Sequence, residues 1–143
     1  MTVGKELAEA TSMKLFHNHM TIELIAPLFG YGSKSPIGTK LVDTFRTMIF
    51  EEFAASNQEG LIFTYIRAVN LPQDTQYIHD LANIFTQHYA EVYRVELEAD
   101  VDERLVRNHH PDRLAAKPTK KNLKKSEKDL KDSMQKYRLN SLA

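Results

Sequence analysis

With 143 residues, 42% hydrophobic and 27% charged, the chain has the composition of one soluble globular domain with a single core. It holds no cysteine, which excludes disulfides, thiolate metal sites and cysteine nucleophiles. No apolar run is long enough for a membrane span and no charged-then-apolar leader is readable, so a cytoplasmic location is the default expectation. The net charge of zero conceals an asymmetry: residues 117–143 carry nine Lys/Arg against three Asp/Glu, a net +6, whereas residues 1–116 carry ten against sixteen. A segment of that charge can attract phosphate on a nucleotide, a nucleic acid or a membrane surface, and can equally be a solvated helix face.

The chain opens MTVGKELAEAT, in which Val3, Leu7 and Ala10 form a helical stripe that predicts a helix over 3–11 with no visible entry. Gly4 costs helix stability there, so it reads as a point of close packing against a sheet. SMKLF predicts a short strand ending at Phe16, followed by HNHMT. Residues 21–29 (TIELIAPLF) predict a helix broken or kinked at Pro27, and GYGSKSPIG a loop. A longer helix is expected from Thr39 to about Ser56, with Leu41, Val42, Phe45, Met48, Ile49 and Phe53 on its buried side.

GLIFTYI is a continuous apolar run, the pattern of a parallel strand buried on both faces. A helix over 73–88 follows, then AEVYRVELEAD as a third strand, then a helix opening at Asp100 with Glu103 three residues on. Residues 119–138 predict a polar helix with a narrow stripe of Leu123, Leu130, Met134 and Tyr137. The alternation implies an α/β fold, a parallel sheet with helices on both faces and the ligand site at the carboxyl ends of its strands. Three strands are few for so many helices, as though outer pieces were missing.

SMKLFHNHMTIELIAPLFG, GLIFTYI, AEVYRVELEADVDERLVRN and PDRLAAKPTKKNLKKSEKDLKDSMQKYRLNS together resemble a group of bacterial P-loop proteins described as AAA-family or shikimate-kinase-like ATPases. The resemblance spans nearly the whole chain. It implies a three-layer α/β/α P-loop kinase-like domain truncated at both ends, with Met1 and Thr2 lying just after the phosphate-binding lysine and a final strand and helix absent beyond YRLNS. It implies ATP and Mg²⁺ as cofactors of the full-length family, with nucleotide and a small-molecule substrate as partners. The GxxxxGK[ST] loop that cradles phosphates is absent from these residues, and Gly4–Lys5 lacks the upstream glycine and the following Ser or Thr needed to replace it. The chain as written is therefore expected not to transfer phosphate.

Three constellations are candidates for the site. His17, Asn18 and His19 follow a strand where such kinases place substrate- or magnesium-contacting groups, commonly acidic ones. Substrate contact, packing of a histidine at the strand end and a two-imidazole metal site are the readings open for them, and no metal ligand set is assigned. Arg46, on the margin of an apolar helix stripe in FRTMIFEE, resembles the arginine that grips the substrate acid in shikimate kinases, and an internal ion pair is the competing reading. Arg104, Arg107, Arg113 and Lys117 surround a proline-containing loop resembling a kinase lid over about 104–121. The resemblance makes Arg107 and Arg113 catalytic and Arg104 and Lys117 nucleotide-contacting, one of the four being only a surface ion-pair partner. The strand GLIFTYI supplies no acid for magnesium, and Thr64 and Arg67 do not replace one.

Two other function classes compete. A non-catalytic oligomeric module would cover its open sheet edges by self-association. Nucleic-acid binding by residues 117–138 lacks interleaved aromatics and is not expected, and no membrane partner is expected either.

Overall fold

A computed structural model describes residues 2–141. Met1, Leu142 and Ala143 lie outside the described residues, and with them the expected place of Met1 beside a phosphate-binding lysine. The chain divides into two compact units, one of residues up to Tyr65 with His79–Val92, the other of Ile66–Ile78 with Tyr93 onward.

In the first unit, α1 (Thr2–Ala10) precedes β1 (Lys14–His17), and α2 (His19–Phe29) and α3 (Pro36–Ala55) connect it to β2 (Leu61–Thr64). The strands run parallel, pairing Lys14 with Leu61 and, through Leu15–Ile62 and Phe16–Phe63, His17 with Thr64. Side chains alternate across the sheet, so Leu15, Ile62 and Thr64 share one face. Gly4 of α1 is buried against that face: a Cβ there would stand 3.0 Å from Leu15 Cδ1 and 3.4 Å from Thr64 Cγ2. Close packing is thus the reason for a glycine inside this helix. On the opposite face Phe16 and Phe63 meet Phe50 of α3 at centroid distances of 5.5 and 4.9 Å, and Phe50 meets Phe85 at 6.0 Å. Helices therefore cover both faces of the sheet.

Between α2 and α3 a second apolar cluster joins Ile22 and Ile25 to Val42. Proline does not break α2. The helix runs through Pro27 to Phe29 and ends at Gly30, whose φ of 74° is accessible to glycine and whose N–H returns to Ala26 O at 2.9 Å. The helix expected from Thr39 begins earlier, because Ser35 caps it by accepting from Gly38 N and Pro36 occupies the first turn. Gly38 fits tightly here: a Cβ would fall 2.0 Å from the carbonyl oxygen of Gly30.

The helix α4 (Pro72–Thr86) is followed by a difference from expectation. Residues 90–100, expected as a third strand, form neither strand nor helix, and Tyr93, Val95 and Leu97 are 78%, 78% and 61% exposed. Their alternation supplies strand propensity, but a strand forms only by pairing, and this segment pairs with neither β1 nor β2. Among the described residues the molecule is mixed α/β with a two-stranded parallel sheet, which corrects the expected three strands.

The second unit contains α5 (Val101–Asn108), α6 (Pro111–Ala116), a 3₁₀ turn at Pro118–Lys120 and α7 (Leu123–Lys136). The expected single helix from Thr119 is thus split, with Asn122 capping α7 through Lys125 N. The segment expected as a loop between helices holds α6, started by Pro111 and by the His110 ring accepting from Asp112 N. Near the end of the described chain, Val69 N donates to Arg138 O at 2.7 Å and Arg138 N to Asn70 Oδ1 at 2.9 Å.

Candidate functional site

The carboxyl end of β1 brings four of the candidate residues together. His17 closes the strand opposite Thr64, and Asn18 N extends the ladder by donating to Thr64 O at 3.2 Å. The chain then turns directly into α2, whose first residue is His19. Its Nδ1 lies 3.1 Å from Glu23 Oε1, one helical turn on. His17, Asn18 and His19 are half-buried, neither sealed in the core nor fully in solvent.

Arg46 reaches this turn from α3. It is 2% exposed, on the line Val42–Arg46–Phe50 that forms the buried stripe of the helix. Its Nη2 donates to Asn18 O at 2.8 Å and its Nε to Thr21 Oγ1 at 3.0 Å. The carboxylate of Asp43 lies 3.7 Å from Nη1. Burial pushes the Asp43 carboxyl above its ordinary value, with Arg46 opposing the shift. The guanidinium thus ties α3 to the turn carrying the two histidines, and the internal ion pair weighed for it exists alongside those bonds. The sequence reading named neither Thr21 nor Asp43 as its partner. The i,i+3 spacing of Asp43 and Arg46 was available as a signal, whereas the contact with Thr21 depends on how α2 and α3 pack.

Asp43 also lines an open groove of about 920 Å³ along α3. Thr39, Lys40, Thr44 and Thr47 contribute to it, with Gly32 and Ser33 from the preceding loop. Thr39 Oγ1 and Gly32 bond to each other through both backbone groups of the glycine, at 3.1 and 3.2 Å, which fixes the wall of the groove.

The other four candidates belong to the second unit. Arg104 donates from Nε to Ala99 O at 2.7 Å. Arg107, on the exposed side of α5, is paired with Glu103 at 2.5 Å, one turn earlier. It is therefore a cation of the four that forms a surface ion pair. Arg113 donates to Asn108 O at 3.1 Å and to Ser126 Oγ at 3.2 Å, and Ser126 Oγ donates on to Asn108 Oδ1 at 3.1 Å. Asn108 and Ser126 are both buried, and burial lowers the Arg113 pKa from its ordinary value. This chain of bonds ties α5, α6 and α7 together. Lys117 stands between α6 and the 3₁₀ turn. Ser126 was missed at the sequence level, since a serine inside a lysine-rich helix gives no sign of being buried.

No group of three or more His, Asp or Glu side chains among the described residues is placed to hold a metal ion, and no helix among them is long and apolar enough to cross a membrane. Comparison of the chain with protein-family models, with curated proteins and with solved structures gives no match.

Proposed function

We propose that the chain is a P-loop small-molecule kinase/ATPase-like protein, and that it receives an anionic metabolite at the carboxyl end of β1. The observation carrying this reading is the convergence of His17, Asn18 and His19 at that strand end, held from below by buried Arg46. Ligands of open parallel α/β sheets bind outside the carboxyl ends of the strands. Imidazoles there can donate to a carboxylate or phosphate, and a positive charge is most effective when it is held in place beforehand. Arg46 fills that role indirectly, fixing the Asn18 carbonyl and biasing the field of the turn while its own donors are engaged.

In this reading ATP and Mg²⁺ belong to the phosphoryl-transfer chemistry of the resemblance, with Arg113 in the catalytic role and Arg104 and Lys117 toward nucleotide, while Arg107, paired with Glu103 on the surface of α5, is left out of it. The amino-acid sequence given holds no glycine-rich GK[ST] loop, so the β- and γ-phosphates have no backbone cradle within it. Isothermal titration of the purified 143-residue chain with Mg-ATP is expected to give no micromolar binding. Micromolar binding would overturn the expectation that this chain, without a glycine-rich GK[ST] loop, does not hold the nucleotide.

A further inference from the structure

The open groove of about 920 Å³ along α3 takes no part in the anion site at β1. It lies wholly within the first unit, beside the buried line Val42–Arg46–Phe50 of the helix. Hydroxyl groups inside a helix either return to the carbonyl four residues back or turn away from it. Those of Thr39 and Ser133 return, to Ser35 O and Asp129 O. Thr44 and Thr47 do not: both are exposed in the groove, and among the described residues neither hydroxyl has a partner. Ser33, at the loop end of the groove, is equally free. Lys40 forms no ion pair among the described residues, and the half-exposed Asp43 carboxylate meets only Arg46, at 3.7 Å. The groove therefore presents free hydroxyls, one ammonium and one carboxylate, set between the apolar surfaces of Pro36 and Met48. From Pro36 to Thr47 it runs about 17 Å along the helix axis.

That lining discriminates among ligand classes. A polyanion needs a surplus of positive charge, and here Lys40 is offset by Asp43. Peptides are held by a sheet edge, by an apolar or aromatic-lined groove, or by an arginine cluster, and the lining contains no strand, no aromatic ring and no arginine. A neutral chain rich in hydroxyls answers each feature. Its hydroxyls donate and accept, as those of Ser33, Thr44 and Thr47 do, while Asp43 only accepts and Lys40 only donates. Its C–H faces can rest on Pro36, Met48 and the threonine methyl groups. We propose that the groove along α3 binds a neutral oligosaccharide, held by the free hydroxyls of Thr44 and Thr47 between Lys40 and Asp43. With no aromatic ring to stack on, the affinity is expected in the millimolar range.

The test is an NMR titration of the 143-residue chain with maltotriose and cellotriose, following the methyl signals of Thr44, Thr47 and Met48. Saturable shifts with at least one trisaccharide are expected. The imidazole signals of His17 and His19 are expected to stay in place, so this site and the anion site at β1 are read on separate resonances. A double variant carrying Thr44→Val and Thr47→Val keeps the methyl groups and removes only the hydroxyls. It is expected to bind about tenfold more weakly, read at Met48, with circular dichroism verifying its fold. A capped pentapeptide of glycine and serine, titrated alongside, is expected to leave the three residues unmoved. No shift with either trisaccharide, undiminished binding by the double variant, or shifts with the peptide in place of the sugars overturns the proposal.

Discussion

Arg46 shows how one buried side chain can both tie a helix to a turn and bring a positive charge to it. Its stem lies in the apolar stripe of α3 between Val42 and Phe50, while its head is spent on Asn18 O and Thr21 Oγ1. Removing it leaves two acceptors at a buried site without their donor, and such losses cost more than the bond itself is worth. Arg46→Ala is expected to destabilise the chain by about 3 kcal/mol, read as a shift of the urea unfolding midpoint at unchanged slope. A loss below about 1 kcal/mol would mean that the guanidinium behaves as a surface charge. The sequence made this arginine visible because it interrupts an apolar stripe. It did not disclose the bonds to residues 25 and 28 positions away, which depend on the packing of α2 on α3.

The elements divide by where their stabilising contacts come from. Helices with a local signal were legible: the helical spacing of apolar positions placed α1 and α3, and the Ser35–Pro36 start of α3 carries a recognisable cap even though it was read three residues late. Residues 90–100 show the opposite case, since alternation in YRVEL states a preference that only a neighbouring strand can realise. Amide hydrogen exchange is expected to be rapid through 91–98, which have no ladder or helical bonds, and slow through β1 and β2. Protection of 91–98 equal to that of β2 would contradict the description.

On α7, Glu127 accepts from Lys131 at 2.7 Å and lies 3.8 Å from His109. The hydrogen bond from Lys131, and then the attraction of Lys131 and His109, hold its carboxyl below the ordinary value of 4.5. A carboxylate whose folded pKa is depressed stabilises the fold above its unfolded value, and loses that contribution as pH falls through the folded one. Glu127→Gln is therefore expected to lower the unfolding midpoint at neutral pH and to match the wild-type chain in strong acid. Equal midpoints at both pH values would remove the pairing from the account.

At the scale of the whole molecule, helices on both faces of a parallel sheet were readable from GLIFTYI and from the helical stripes around it, because burial on two faces leaves a continuous apolar run. The number of strands was not, since counting strands from sequence assumes that every extended pattern finds a partner. The make-up of the candidate site was legible in part for the same reason. Adjacent residues His17, Asn18 and His19 remain together in any fold, whereas Arg113 and Ser126 meet only through the packing of α5, α6 and α7. The account rests on the carboxyl end of β1 as the place where an anion is received. The direct measurement is a titration of the six histidine imidazoles, followed by NMR, with small carboxylates and phosphomonoesters as probes. The resonances of His17 and His19 are expected to move saturably together, while those of His109 and His110 in the second unit stay in place. Shifts confined to His109 and His110, or none at His17 and His19, would contradict it.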